Sequence, residues 1–472
     1  MDSVDLAFAG IARQADLVRR REVSSRELTE IYLERIERLD PALNAFRCVL
    51  ADEARTAAVD ADRRVAAGES AALLGVPVAF KDDVDLVGTV NMHGTAAFDR
   101  VALGDAEQVR KLRAAGAIVI GKTNLPELAI CGFTESEAHG VTRNPWRLAR
   151  TPGGSSGGSG AAVAAGLIGC ASASDGMGSI RIPAAHNGLF GLKPQRGRIS
   201  LAPLGCHWRG LSVAGCVSRH VADTALWLDV ASGRVAGDAH VPPAFDRSFS
   251  EIAREEPGRL RIAWTTSCPR ALLPPVLGAD VEAVAEATAT RLAALGHQVI
   301  ARDPDWRRIG DDAAVLYLCG VLDDIRDVPH PDRLERRTRG FARLGRAIPK
   351  ALRERAVSNE VRHAARLNVI FDDVDVVMMP STGTPAPPIG HWEGKGALRT
   401  LLGMSRVYPY TGAWNYTGQP AASVPVGSSR DGLPIGMQLV VAPNREDILL
   451  RLGAQLEADL GWPAHRPSIA RH

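Results

Sequence analysis

The sequence predicts an α/β fold in which helices cover a mixed or parallel sheet. Two observations carry this expectation. Short apolar runs bounded by turn residues alternate with amphipathic stretches. Strand-like runs also flank an arginine-rich helical segment on both sides, which argues for one domain. At 472 residues the chain is long enough for a large buried core.

In chain order, Ser24 and Glu27 have the spacing of a capping box, and Leu28, Ile31, Tyr32, Ile36 and Leu39 recur along one helical face. An alanine-rich helix follows from Glu53 to Ala67. Gly75-Val-Pro-Val-Ala-Phe80 then reads as a buried strand ending at Lys81. A helix over Val109 to Ala115 and a strand over Ala117 to Ile120 come next, and Thr123 to Pro152 mixes loop and helix. Ala161 to Ile168 favours helix. Leu260 to Trp264 and Gln298 to Ile300 read as strands around a helix from Asp280 to Leu295. From Asp327 to Arg366, Leu334, Phe341, Leu344, Ile348 and Leu352 recur at helical spacing among many arginines, the pattern of a solvated amphipathic face. Strands at Val374 to Met379 and Ile435 to Val441 and a helix at Glu446 to Leu460 complete the chain.

Composition excludes several classes. With 56 Lys and Arg against 54 Asp and Glu, the net charge of +2 lacks the excess of a nucleic-acid binder, so a small molecule is the expected partner. The seven cysteines form no C-x-x-C pair, and Cys206-His207 lacks spaced co-ligands, so no metal site is expected. No stretch approaches the roughly 20 apolar residues of a membrane span, and no signal-peptide core precedes the first helix. A cytoplasmic enzyme without membrane contact is the expectation.

Three segments could do chemistry: Phe80-Lys-Asp82, Pro152-Gly-Gly-Ser-Ser-Gly-Gly-Ser159 and Asp175-Gly-Met-Gly-Ser-Ile-Arg-Ile-Pro183. A lysine after a strand is ordinarily a surface charge, and a glycine-serine stretch is often a linker. Here the stretch runs straight into an apolar helix former, where a helix N-terminus favours negative charge. Small residues around Ser179 let consecutive amide groups approach a substrate oxygen.

Together these segments resemble the amidase signature family, whose mark is a glycine-serine-rich loop followed by a G-x-D-x-G-G-S-I-R-like segment. Gly121-Lys-Thr-Asn-Leu-Pro-Glu127, Arg143-Asn-Pro-Trp146, Gly191-Leu-Lys-Pro194 and Thr417-Gly-Gln-Pro-Ala421 extend the likeness over most of the chain. The resemblance implies one α/β/α domain over residues 1–472, with a central mixed sheet of about ten strands. It further implies a catalytic core over 75–200 and a helical insert over 305–370 near the substrate entrance. It makes Ser179 the nucleophile, Ser155 the bridging proton relay and Lys81 the base, without a cofactor. A cis peptide is implied between Gly154 and Ser155. The oxyanion hole would use the backbone N–H groups of Gly176, Met177, Gly178 and Ser179, with Ser156, Asp175 and Arg181 as supports. Met177 departs from the family, which commonly has glycine there.

A neutral Lys81 requires a pKa below the usual value of about 10.4. Strand alternation turns Asp82 away from it and leaves Asp83 an open question. The combination is most similar to bacterial stand-alone amidases, including hydrolases of cyclic nylon oligomers and of aryl amides or carbamates. The expected substrates are therefore small-molecule amides, esters or carbamates, and the expected state is a monomer or homodimer. The pocket would be lined by residues within Leu316 to Arg366 and Gly383 to Trp414, and Trp392, Tyr408, Tyr410 and Trp414 are aromatic candidates for it. Two alternatives use the same residues. One is the glutamine-hydrolysing subunit of a tRNA-dependent amidotransferase. The other is an esterase of the α/β-hydrolase type, since Gly153-x-Ser155-x-Gly157 fits a nucleophile elbow, which needs a strand before the serine and a catalytic histidine.

Overall fold

A computed structural model describes residues 1–269 and 273–471. Its centre is an eleven-stranded mixed sheet. The strands are β1 (Phe46–Val49), β2 (Pro77–Lys81), β3 (Ile118–Thr123), β4 (Cys170–Asp175), β5 (Phe190–Lys193), β6 (Val213–Ser218), β7 (Arg261–Trp264), β8 (Gln298–Ala301), β9 (Val376–Pro380), β10 (Ala421–Ser428) and β11 (Pro434–Val441). Their order across the sheet is β1-β3-β2-β4-β6-β5-β10-β11-β9-β7-β8. β2 runs parallel to both β3 and β4, and β7 runs parallel to β9 and β8. The remaining pairs are antiparallel, so the parallel strands lie toward the two flanks.

The helices that matter for the site are α1 (Ser25–Leu43), α2 (Gly157–Ala164), α3 (Arg181–Asn187), α4 (Ile309–Arg326), α5 (Arg336–Ala347), α6 (Lys350–Asn368) and α7 (Ala397–Val407). α1 is capped by Ser24, whose Oγ accepts the N–H of Glu27 at 3.0 Å. The arginine-rich segment is helical as expected but divides into α5 and α6 at Ile348-Pro349. Proline lacks the N–H that a continuous helix would need there. Among the described residues no helix is long and apolar enough to cross a membrane.

Alternation along β2 sends Val78 and Phe80 into one apolar cluster and Ala79 into another, so both faces of the strand are covered. Phe80 is fully buried, and its ring centroid lies 6.0 Å from that of Trp227. This packing fixes the strand immediately before Lys81. A third cluster gathers α4, α5 and the segment from Trp392 to Tyr416 at one end of the sheet.

The Phe80 contact has a measurable consequence. Phe80→Ala should lower the unfolding free energy by about 3–5 kcal/mol in urea, as expected for an aromatic truncated in a dry core. A loss under about 1 kcal/mol would mean that this packing does not hold the strand.

Candidate active site

Three separate segments converge at one end of β2. The strand itself delivers Lys81, whose side chain is 0% exposed. The turn before α2 delivers Ser155, and the loop between β4 and α3 delivers Ser179. The peptide between Gly154 and Ser155 is cis, as the resemblance implies. Lys81 Nζ donates to Ser155 Oγ at 2.7 Å and to Ser174 Oγ at 2.7 Å. Ser174 Oγ in turn donates to Asp83 Oδ2 at 2.7 Å, and that oxygen lies 3.2 Å from Lys81 Nζ. Ser155 and Ser179 line the same cavity, yet Ser179 Oγ has no hydrogen-bond partner among the described residues. Lys81 and Ser155 are thus joined, while Ser179 stands beside them.

Asp82 points away, as strand alternation predicts, and meets Lys122 at 2.8 Å and Arg47 at 3.0 Å. Asp83 is the carboxylate that faces Lys81. Burial pushes the Lys81 amine below the ordinary lysine value, because desolvation penalises its charged form. Asp83 opposes that shift without reversing it.

Ser156 ties two of the converging segments together. Its Oγ accepts the Ser174 N–H at 3.3 Å and its N–H reaches the Ser179 carbonyl at 3.4 Å. Asp175 and Arg181 form a fully buried pair with bonds of 2.9 and 3.0 Å. Burial alone would raise the Asp175 pKa, but the Arg181 guanidinium holds it well below the usual carboxylate range. Arg181 also binds Asn415 at 2.6 Å and the carbonyl of Thr411 at 3.1 Å.

Asp175 corrects one expectation. The Gly178 N–H donates to Asp175 Oδ1 at 2.6 Å and therefore is not available to a substrate. Among the described residues the N–H groups of Gly176, Met177 and Ser179 make no hydrogen bond. The expected four donors are reduced to three because a buried carboxylate needs one of them to satisfy its own oxygen.

Two cavities open on Ser179. One, of about 280 Å³, is lined by Asp83, His93, Ser155, Ser174, Gly176 and His207 among others. The second, of about 530 Å³, is mostly apolar and draws on α4, α6 and α7; its α6 and α7 residues fall within the segments expected to line a pocket, whereas Gly310 to Val315 of α4 precede them. Of the four aromatic candidates Tyr408 lines it, whereas Trp392, Tyr410 and Trp414 are buried in the core.

Sequence reasoning missed Ser174 and the direct contact of Asp83. The alternation of Ser172 and Ser174 along β4 was the available signal, since Ser172 Oγ accepts the Lys81 N–H at 2.7 Å. It also missed His207, whose Nδ1 is 2.9 Å from Ser212 Oγ and whose Nε2 is 3.0 Å from Asp324. No local signal links positions so far apart. Cys206 is exposed, and among the described residues no group of three or more His, Cys, Asp or Glu is placed to hold a metal. The elbow alternative lacks its strand, because Thr151 to Gly153 is irregular. His186, which packs near Gly153, makes no hydrogen bond through either ring nitrogen.

The chain is similar to known proteins over nearly its whole length. A family model described as Amidase matches residues 27–450. The AmiB2 protein of Mycobacterium bovis is 48% identical over 471 residues, covering 100% of both chains. The 6-aminohexanoate-cyclic-dimer hydrolase of Pseudomonas sp. (strain NK87) is 36% identical, with 99% of this chain and 98% of that protein aligned. A structure of 6-aminohexanoate cyclic dimer hydrolase complexed with substrate superposes with a TM-score of 0.89 at 34% identity, covering 98% of this chain and 100% of that one. A bacterial aryl acylamidase of the amidase signature family gives a TM-score of 0.85 at 25% identity over 96% of this chain and 98% of that one. The chain belongs to the amidase signature family, enzymes that hydrolyse amide bonds.

Proposed function

We propose that the chain hydrolyses carboxylic amides through an acyl-enzyme on Ser179, with Ser155 relaying protons and Lys81 as the base. The observation that carries this reading is the wholly buried Lys81 amine 2.7 Å from the Oγ of Ser155, a residue that shares a cavity wall with Ser179. Neutral Lys81 takes the Ser155 proton as Ser155 takes that of Ser179, and Ser179 Oγ bonds to the carbonyl carbon. A rotamer change at Ser179 or Ser155 closes the missing link of the relay, since such bonds often tighten only once substrate is present. The carbonyl oxygen becomes an oxyanion and meets the unoccupied N–H groups of Gly176, Met177 and Ser179.

Collapse of the tetrahedral adduct breaks the carbon–nitrogen bond. The leaving nitrogen takes its proton from Ser155, which Lys81 resupplies. Water then attacks the Ser179 ester and passes a proton back through Ser155, which returns Ser179 to its hydroxyl form and frees the acid. Activated esters and carbamates that give the same acyl-enzyme enter this cycle, and an activated ester demands less protonation of its leaving group.

Three substitutions test the roles. Ser179→Ala should abolish hydrolysis of an anilide such as 4-nitroacetanilide, and Ser155→Ala should lower kcat by about 10²–10⁴. Lys81→Ala should damage anilide turnover far more than that of a 4-nitrophenyl ester. Equal losses on both substrates would contradict the lysine's part in leaving-group protonation.

The pH profile gives an independent check. Activity needs the neutral amine, so kcat/KM should rise with pH through a pKa that burial has moved below the ordinary lysine range. Asp83 holds that pKa up, so Asp83→Asn should shift the rising limb to lower pH. A shift in the opposite direction would show that the limb belongs to another group.

A further inference from the structure

We infer that the Trp208 indole divides the site into an acyl compartment and an amine compartment. On this assignment the substrate is an amide with an extended apolar acyl part and a polar, non-anionic amine. The inference rests on the acyl-enzyme reading above and adds to it a direction for the substrate. The two cavities share only Ala129, Ser179 and Trp208 among their described lining residues. Ser155 lines the smaller cavity alone. The leaving nitrogen receives its proton from Ser155, so the amine half lies in that cavity and the acyl half in the other.

The two compartments differ in charge: Val84, Phe98, Leu201 and Leu204 give the smaller one apolar wall as well, but it alone gathers a cluster of carboxylates. The described wall of the smaller one includes Asp83, Asp85, Asp324 and Asp327 with two histidines, and no lysine or arginine. Asp83 Oδ1 is buried there without a hydrogen-bond partner. An amine carrying a carboxylate would meet like charge, whereas an amine with hydrogen-bond donors would not. The larger cavity is walled by Ile130, Val315, Leu318, Leu352, Leu401 and Met404, with Asp311 and Arg355 as its charged members. Its volume of about 530 Å³ falls in the range of pockets that enclose a drug-sized ligand.

The divider is held on several sides. Trp208 Nε1 donates to Asp324 Oδ2 at 2.6 Å, and the other oxygen of that carboxylate meets His207. The indole stands edge to face on Tyr317 at 5.3 Å. It also fits between Gly176 and Gly320, where an added methyl would come within 2.7 and 2.6 Å of it.

Two isomers test the assignment on the wild-type protein. N-(2-aminoethyl)octanamide places the apolar chain on the acyl side, and N-octylglycinamide places it on the amine side. The first should have a kcat/KM at least tenfold higher. Lengthening its acyl chain from four to eight carbons should raise kcat/KM by roughly fourfold per methylene, the usual contribution of a buried CH₂. Trp208→Phe should narrow the ratio between the isomers.

An equal or reversed ratio in the wild type overturns the assignment, and an unchanged ratio in Trp208→Phe overturns the dividing role of the indole. Turnover of 4-nitroacetanilide with neither isomer hydrolysed also overturns the inference. Failure of the acyl-enzyme reading is distinguishable: no amide is hydrolysed, and a fluorophosphonate leaves Ser179 unmodified.

Discussion

Burying the Lys81 amine at the end of β2 takes it out of water, and the groups around it answer that cost. A lone ammonium in such a place is expensive, so it is either paired or shifted toward its neutral form. Lys81 does both: Asp83 and two serine hydroxyls surround it, while desolvation lowers its pKa. The Phe80–Trp227 contact on the preceding residue leaves the strand little freedom to withdraw the amine.

The loop that carries Ser179 is held by a different device. A buried ion pair contributes little net stability, but its geometry is demanding, and breaking it costs heavily. Asp175 closes β4 and Arg181 opens α3, so their bidentate contact clamps the two ends of the loop that carries Ser179. Asp175 also accepts the N–H groups of Gly178 and Ile180 inside that loop. Thus the same pair that orders the loop consumes one of its donors. Asn415, in the short helix Gly412–Thr417, binds both partners, and Gln438 of β11 ties Arg181 to the C-terminal part of the sheet.

Much of this was legible in the sequence where periodicity or chemistry is local. The helix at Glu446–Leu460 has the bounds that its pattern predicts, and the expected sheet of about ten strands has eleven. The structure joins Lys81 to Ser155 and Arg181 to Asp175, residues that the motifs single out. The strands β1, β4, β5, β6 and β10 were not foreseen; β4, β5 and β6 are short and buried along almost their whole length, so they show no alternation. The helix expected over Ala161 to Ile168 spans Gly157–Ala164 instead, so α2 begins inside the glycine-serine run. Those glycines serve close approach: a Cβ at Gly158 would lie 2.4 Å from the Asn124 nitrogen, and one at Gly154 would lie 2.5 Å from that of Phe133. Tertiary packing there outweighs helix propensity. The loss of Gly178 as a donor, and the grip of Asp324 on His207 and Trp208, depend on contacts that no local pattern encodes.

The account stands on the charge state of one amine. Carbon-13 NMR of protein labelled at the lysine ε-carbon, with the Lys81 resonance identified by its loss in Lys81→Arg, reads that state directly across a pH titration. The account predicts that Lys81 gives up its proton below the range of the exposed lysines. A Lys81 resonance that stays fully charged up to or beyond that range would contradict it.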